Sequence, residues 1–372
     1  MGSEFNEELF GNDIDPVDEL SKISKEAYDL VKHSKFEEAK ELFNKIVSLD
    51  QFNHYALVGL GDIARKTGNY NNAITFYKSC LDHHHENKYA LIGLADVYRE
   101  TGNFRESISL WEHFIVHYGV DITVLTRLAD SYRKLGDYEN SKKFYLKVFE
   151  IDPNNSYALT GIGYLFFENK KYDWALEYWM KMFELEPDNI RILTAIGNCH
   201  RKRKSFDEGI VFFENALKVQ GKNFYALYGL ADCYRGLAMH EESLHAWKEL
   251  LDLSPNNKVI MTRLADAYRN LSYLDDAEKY YKEALDVDYD YYAILGLAFI
   301  NIERKDYSKA INILKDAYNR DPGNNRSLYE LALCYKESGD YAEGIKVLDK
   351  YISTGHVTPI VSELYNELKR RI

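Results

Sequence analysis

The sequence predicts an all-α solenoid of about ten helix–turn–helix repeats, closed by a C-terminal capping helix. Three observations predict it. A small residue returns on a fixed beat, at Ala39, Ala73, Ser107, Ser141, Ala175, Gly209, Ser243, Ala277, Ala310 and Gly344. Every step is 34 residues except the 33 from Ala277 to Ala310, and a period of this length marks stacked supersecondary units. Around each beat the apolar residues follow helical spacing, and only six prolines interrupt 372 residues. A chain this long exceeds one ordinary core, but a repeat array buries each unit against its neighbours.

Residues 1–19 stand outside the beat. Residues 1–5, Met-Gly-Ser-Glu-Phe, read as a cloning-vector remnant, so the natural N-terminus is expected to be missing. The acidic stretch 6–19 carries Leu9, Phe10, Ile14 and Val17, and is expected either to be flexible or to fold against the first repeat. The repeats are framed as 20–53, 54–87, 88–121, 122–155, 156–189, 190–223, 224–257, 258–290, 291–324 and 325–358. Unit 156–189 shows the logic: Leu159, Ile162, Gly163 and Phe166 make one helical stripe, and Tyr172, Ala175, Trp179 and Met182 make a second. Asn169-Lys170-Lys171 breaks the pattern between them, and Glu186-Pro187-Asp188-Asn189 ends it. At the far end Thr358 and Pro359 are an N-cap and a first helical residue. They open a capping helix over 359–372 with Ile360, Val361, Leu364, Tyr365 and Leu368 on its apolar face.

These repeats resemble the tetratricopeptide repeat, W-x2-L-G-x2-Y, then A-x3-F, then P. The first helix (helix A) matches at Leu60-Gly61, at Leu94-Ala95 with Tyr98, and at Leu128-Ala129 with Tyr132. It matches again at Ile162-Gly163 with Phe166, Leu230-Ala231 with Tyr234, Leu264-Ala265 with Tyr268, and Leu331-Ala332 with Tyr335. The second (helix B) matches at Ala73/Tyr77, Ser107/Trp111, Ala175/Trp179 and Ala277/Tyr281, with closing Pro153, Pro187, Pro255 and Pro322. The resemblance covers about residues 20–358 and accounts for many of the 31 tyrosines as packing residues. Departures are Glu26-Ala27 in the first repeat, Asn301 in the ninth, and the turns at 236–240 and 271–274, which lack the usual Gly-Asp/Asn. The resemblance implies a right-handed superhelix, helix A lining its concave side, and a groove that holds an extended or helical peptide.

On helix A an Asp-x2-Arg recurs, at Asp62/Arg65, Asp96/Arg99, Asp130/Arg133, Asp232/Arg235 and Asp266/Arg269, with Asn198/Arg201 a near copy. Three residues apart on a helix, the two side chains are neighbours. They are expected either to pair as a ladder that holds register or to offer bidentate contacts to a bound polypeptide. The ladder lapses at Tyr164/Phe167 and at Phe299/Ile302, four repeats apart, and repeats three and four echo repeats seven and eight, so a four-repeat block looks duplicated. Those apolar residues are either anchoring pockets or locally buried. Tyr55, Tyr89, Tyr157, Tyr225 and Tyr292 stand at the second position of five repeats, where packing at the helix start is favoured over a tyrosine edge on the groove.

The net charge of −12 argues against nucleic acid and anionic membranes. The basic run His200-Arg201-Lys202-Arg203-Lys204 ends a helix, where cations complement the dipole. His83-His84-His85 cannot share a helix face. Cys80, Cys199, Cys233 and Cys334 form no CxxC and read as buried small residues. No apolar run approaches the ~18 residues of a membrane span. The Lys and Asn of the family's carboxylate clamp, the asparagine ladder of its sugar-transferring members, and phosphate-loop or nucleophile motifs are all missing.

The sequence therefore predicts a non-catalytic scaffold binding a protein or peptide in the concave groove. The contact residues would be Asp96, Arg99, Asp130, Arg133, Tyr164, Phe167, Asn198, Arg201, Asp232, Arg235, Asp266, Arg269 and Phe299. No catalytic residue, metal, cofactor, nucleic acid or membrane insertion by this segment is expected. The alternative is a structural or envelope-associated spacer that self-associates or is anchored by a missing N-terminus. The compartment is left unknown, the cytoplasm slightly favoured.

Overall fold

The structure, a computed structural model, describes residues 18–353, 355 and 357–372. Residues 1–5 and the apolar Leu9, Phe10, Ile14 and Val17 lie outside the described residues. Every regular element among the described residues is an α-helix, and the chain is an all-α repeat solenoid. Its contacts divide it into two compact units, residues 1–178 and 179–372.

The first unit contains α1 (Asp18–Lys32), α2 (Phe36–Leu49), α3 (His54–Lys66), α4 (Tyr70–His83), α5 (Lys88–Glu100), α6 (Phe104–Tyr118), α7 (Ile122–Leu135), α8 (Tyr138–Ile151) and α9 (Ser156–Glu168). The division falls within α10 (Tyr172–Leu185). The second unit continues with α11 (Ile190–Arg203), α12 (Phe206–Val219), α13 (Phe224–Gly236), α14 (His240–Leu253), α15 (Lys258–Asn270) and α16 (Leu274–Val287). It ends with α17 (Tyr291–Glu303), α18 (Tyr307–Arg320), α19 (Asn325–Ser338), α20 (Tyr341–Ser353) and α21 (Pro359–Lys369). Up to α20, odd numbers are A helices and even numbers B helices.

Polar caps start the A helices. Asn53, Asn87, Asp121, Asn155, Asn189, Asn223, Asn257, Asp290 and Asn324 each accept a backbone N–H from the first turn of the helix that follows, relieving donors that would otherwise be orphaned. The turn from A to B needs one left-handed residue. Gly68, Gly102, Gly136 and Gly339 supply it at φ of 77–84°, a region open to glycine without cost. Ser34, Lys170, Lys204, Ala238, Ser272 and Lys305 hold the same region with a Cβ in place. The one-residue shortening of the beat falls in the turn between α16 and α17, which has only Asp288, Tyr289 and Asp290.

Apart from α10, where the units divide, each A helix packs on its B helix and each B on the next A, and successive A helices also touch: α1 on α3, α3 on α5, α7 on α9, α11 on α13, α15 on α17. Within each unit the A helices therefore form the inner layer. The beat residues are buried where the layers meet. Ser141 and Ser243, which carry a hydroxyl into that seam, donate it to the carbonyls of Ala129 and Ala231. Four residues past the beat, Phe43, Tyr77, Tyr145, Phe213 and Tyr281 are fully buried and press on a glycine of the next A helix. A Cβ on Gly93 would lie 2.3 Å from Tyr77 Cζ, and one on Gly161 2.3 Å from Tyr145 Oη. Where that ring is Trp111, Trp179 or Trp247, the next A helix carries Arg127, Ala195 or Arg263 instead of glycine.

At the C-terminus Thr358 accepts the Val361 N–H, and α21 lays Val361, Leu364 and Leu368 against Ala332 and Leu348. The four cysteines are buried, and none forms a disulfide with another. Burial pushes the Cys80 and Cys334 thiols up to about 11 and Cys233 up to about 12, so they stay protonated and unreactive. No helix among the described residues is long and apolar enough to cross a membrane.

Candidate binding face on the inner helix layer

Helix spacing brings the Asp-x2-Arg residues to the inner layer, and there the pairs divide. Asp130 and Arg133 pair at 3.4 Å, Asp232 and Arg235 at 2.6 Å, and Asp96 and Arg99 approach only to 3.7 Å. Asn198 Oδ1 accepts from Arg201 at 3.0 and 3.2 Å. Arg65 instead reaches the next repeat, binding Asp96 and Glu100 at 3.1 Å each. Arg269 reaches Glu303 at 2.8 Å, Arg133 also reaches Glu168, and Arg201 reaches Asp232 at 2.6 Å. The ladder is therefore mainly a stitch between repeats rather than a series of closed pairs.

Helix B decides which acid takes which partner. Where B carries tyrosine, its hydroxyl donates to the acid of its own A helix. Tyr77 donates to Asp62, Tyr145 to Asp130 and Tyr281 to Asp266, each at 2.6 Å. Where B carries Trp111 or Trp247, no hydroxyl is present, and Asp96 and Asp232 are bound by arginines of the preceding repeat. Asp96 is 1% exposed and also accepts from Arg127 at 2.9 Å. Burial raises the Asp62 carboxyl, with Tyr77 opposing the shift. Burial would raise Asp232 too, but hydrogen bonds from Arg235 and Arg201 outweigh it and hold the carboxyl below its ordinary range.

The lapses in the ladder are half-buried and roofed by arginine. The Arg133 guanidinium lies 5.8 Å from the Tyr164 ring centre, and Arg269 5.3 Å from Phe299, a favourable cation–π distance. In both places the same arginine also binds the glutamate of that helix, Glu168 or Glu303. Phe167 stands edge-on to Tyr172 at 5.5 Å. The four-repeat echo in the sequence thus has a structural copy in each unit.

Of the tyrosine stripe, Tyr55 and Tyr89 are partly buried, whereas Tyr157, Tyr225 and Tyr292 are 64%, 74% and 56% exposed. Tyr225 stands edge-on to Phe224 and Tyr292 edge-on to Tyr291, each at 5.8 Å. Val259 at the same position of α15 is exposed as well, so α13, α15 and α17 present an apolar residue in three consecutive repeats. In the basic run His200 stacks on Phe212, and Arg201 is engaged by Asn198 and Asp232. His83 stacks on Phe52, and His84 Nε2 lies 2.8 Å from the Phe52 carbonyl. No cluster among the described residues could hold a metal ion. Sequence reasoning missed Glu100, Glu168, Glu303, Arg127 and Arg263. The first three follow the ladder arginines by 34 or 35 residues, a spacing that a search within one helix does not reach.

A solenoid whose inner layer presents polar and aromatic side chains in register is a repeat scaffold. Models of the tetratricopeptide repeat family match residues 24–83, 122–155, 225–257, 262–325 and 301–368. Among solved structures the chain is similar to the C-terminal part of a TPR repeat-containing protein from Cytophaga hutchinsonii, at 17% identity and a TM-score of 0.54, over 64% of this chain and 98% of that one. It is also similar to MamA, at 22% identity and a TM-score of 0.42 over 43% of this chain and 94% of that one. YrrB, described as a TPR protein with an unusual peptide-binding site, is similar at 16% and 0.42 over 50% and 96%. No curated protein sequence matches the chain. The chain belongs to the tetratricopeptide repeat family, a protein–protein interaction scaffold.

Proposed function

We propose that this protein is a non-catalytic scaffold whose inner helix layer holds a peptide or protein segment, with repeats framed as 20–53 through 325–358 and 359–372 as their cap. One observation carries the reading: guanidinium groups and aromatic rings recur on successive A helices without being consumed by packing. Arg99 lies 3.7 Å from Asp96 and its Nε has no hydrogen-bond partner among the described residues, the Arg235 side chain is 42% exposed, and Tyr225 and Tyr292 are mostly exposed. Such groups match a polypeptide, which offers carboxylates, carbonyls and apolar side chains at short intervals. The formal charge of −12 supports a protein rather than a nucleic-acid partner.

Each unit carries its own share of the contact residues, Asp96, Arg99, Asp130, Arg133, Tyr164 and Phe167 in the first, and Asn198, Arg201, Asp232, Arg235, Asp266, Arg269 and Phe299 in the second. Tyr164→Ala together with Phe167→Ala is expected to weaken partner capture in a pull-down while circular dichroism shows helicity retained. Equal capture by the double variant and the parent would sink this reading.

A further inference from the structure

The duplicated block carries the same three arginines twice, but its acids only once in full. In the first unit Arg65, Arg99 and Arg127 converge on the buried Asp96. Glu100 also binds Arg65, and Asp62 lies on the same helix as Arg65. In the second unit the corresponding arginines are Arg201 and Arg235, both on Asp232, and Arg263, which turns to Asp266 of its own helix. Here Asn198 stands where the first unit has Asp62, and Gly236 stands where it has Glu100. The second set has kept its three cations and lost two carboxylates.

The donors in that set are only partly engaged. Arg201 and Arg235 both bind Asp232, while Arg263 makes one hydrogen bond, at 3.3 Å to Asp266, which Tyr281 already serves at 2.6 Å. The Arg235 and Arg263 side chains are 42% and 33% exposed, whereas Arg201 and Asp232 are mostly covered. Arg201, Arg235 and Arg263 thus face Asp232 and the shared Asp266, and a guanidinium offers five donors in a fixed fork. The same helices α13 and α15 expose Tyr225 and Val259 at their starts. In the first unit Arg127 shows what crowding of such cations does: burial lowers its pKa, and Arg99 and Arg65 add to that effect against Asp96.

Resting on the peptide-binding reading above, we propose that Arg201, Arg235 and Arg263 receive an aspartate or glutamate side chain of an acidic peptide segment, more tightly than their copy in the first unit. Arg201 positions Asp232 and Asn198. Arg235 and Arg263 supply the exposed bidentate contacts. An apolar side chain of the same segment packs on Tyr225 or Val259. The fold does not depend on the two outer arginines, because Asp232 keeps Arg201 and Asp266 keeps Tyr281 when they are replaced.

The test is selection of a random displayed peptide library on the immobilised full chain. The best peptide and its Glu→Gln, Asp→Asn counterpart are then titrated by fluorescence anisotropy. Enrichment of acidic peptides is expected, with the amide counterpart binding at least about ten-fold more weakly, as for loss of a charge-assisted hydrogen bond. R235Q with R263Q should abolish that difference, R127Q in the first unit should leave most of it, and N198D, which restores one lost carboxylate, should reduce it about three-fold. R304Q, on an arginine bonded to Asp275 and Glu278, should change nothing. Enrichment of neutral or basic peptides, or an acidic preference that survives R235Q with R263Q, overturns the inference. If the enriched neutral peptides are lost on Tyr164→Ala with Phe167→Ala, the scaffold reading stands without it. If no peptide is enriched, both fail.

Discussion

A carboxylate taken out of water must find donors, and on this chain the choice of donor follows from one ring a helix away. Tyr77 serves Asp62, Tyr145 serves Asp130 and Tyr281 serves Asp266; a tryptophan in that place hands the acid to an arginine of the preceding repeat. Tyr77→Phe removes one hydroxyl and leaves Asp62 partly buried without that bond. It is expected to cost about 1–3 kcal/mol in urea unfolding at neutral pH. The pH dependence has a definite sign. Burial holds the Asp62 carboxyl above its ordinary value of 3.8, so the native state binds the proton more tightly than the unfolded one. Ionised Asp62 therefore weighs on stability above its folded pKa, and protonation relieves it. Loss of the Tyr77 hydroxyl deepens that burden and raises the folded pKa further, so the deficit of Tyr77→Phe should shrink as pH falls from the variant's folded value through the parent's raised one. A deficit that does not change with pH would mean the hydroxyl matters only as packing. The Asp-x2-Arg pattern was legible because a three-residue spacing on a helix fixes a shared face. Its partners Glu100, Glu168 and Glu303 were not, because stacking rather than helix geometry brings them to the arginines.

At the scale of elements, the turns between A and B helices are where the repeats differ most. Gly136-Asp137 combines a left-handed glycine with an N-cap whose side chain accepts the Asn140 N–H. The seventh repeat instead has Ala238 at φ 56° and Met239, which gives no side-chain cap. Ala238→Gly with Met239→Asp should raise stability by about 1 kcal/mol, set by the relief at the left-handed position and the new cap, less the lost Met239 packing. The melting temperature of the double variant should rise; a fall would show that Met239 packing outweighs the turn. Helix positions were open to sequence reading because the apolar stripes, the caps and the beat all agree. The identity of the left-handed residue was not, since Lys170, Lys204 and Lys305 adopt the same backbone without glycine.

At the scale of the whole molecule, a repeat array is stabilised by each unit's contact with its neighbours, and its last unit must be covered. Here α21 does the covering, with Leu368 fully buried against the tenth repeat. Leu368→Ala should cost about 2–5 kcal/mol, as for other buried leucines. The loss should appear in hydrogen exchange as lowered protection confined to α19, α20 and α21, because nearest-neighbour coupling keeps the damage local. Uniform loss across the second unit would instead make that unit a single cooperative block.

The sequence by itself determined the helix pairs, their period, the capping helix and the family. These follow from local periodicity, caps and a repeated small residue, all of which act within a few turns of chain. The tertiary structure decided the pairings. It decided that Arg65 binds Asp96 rather than Asp62, that Tyr164 and Phe299 lie beneath arginines, and that Tyr225 and Tyr292 face water. Each of these depends on which side chain a neighbouring repeat brings within hydrogen-bond or ring-contact range, and burial then fixes how much each contact matters.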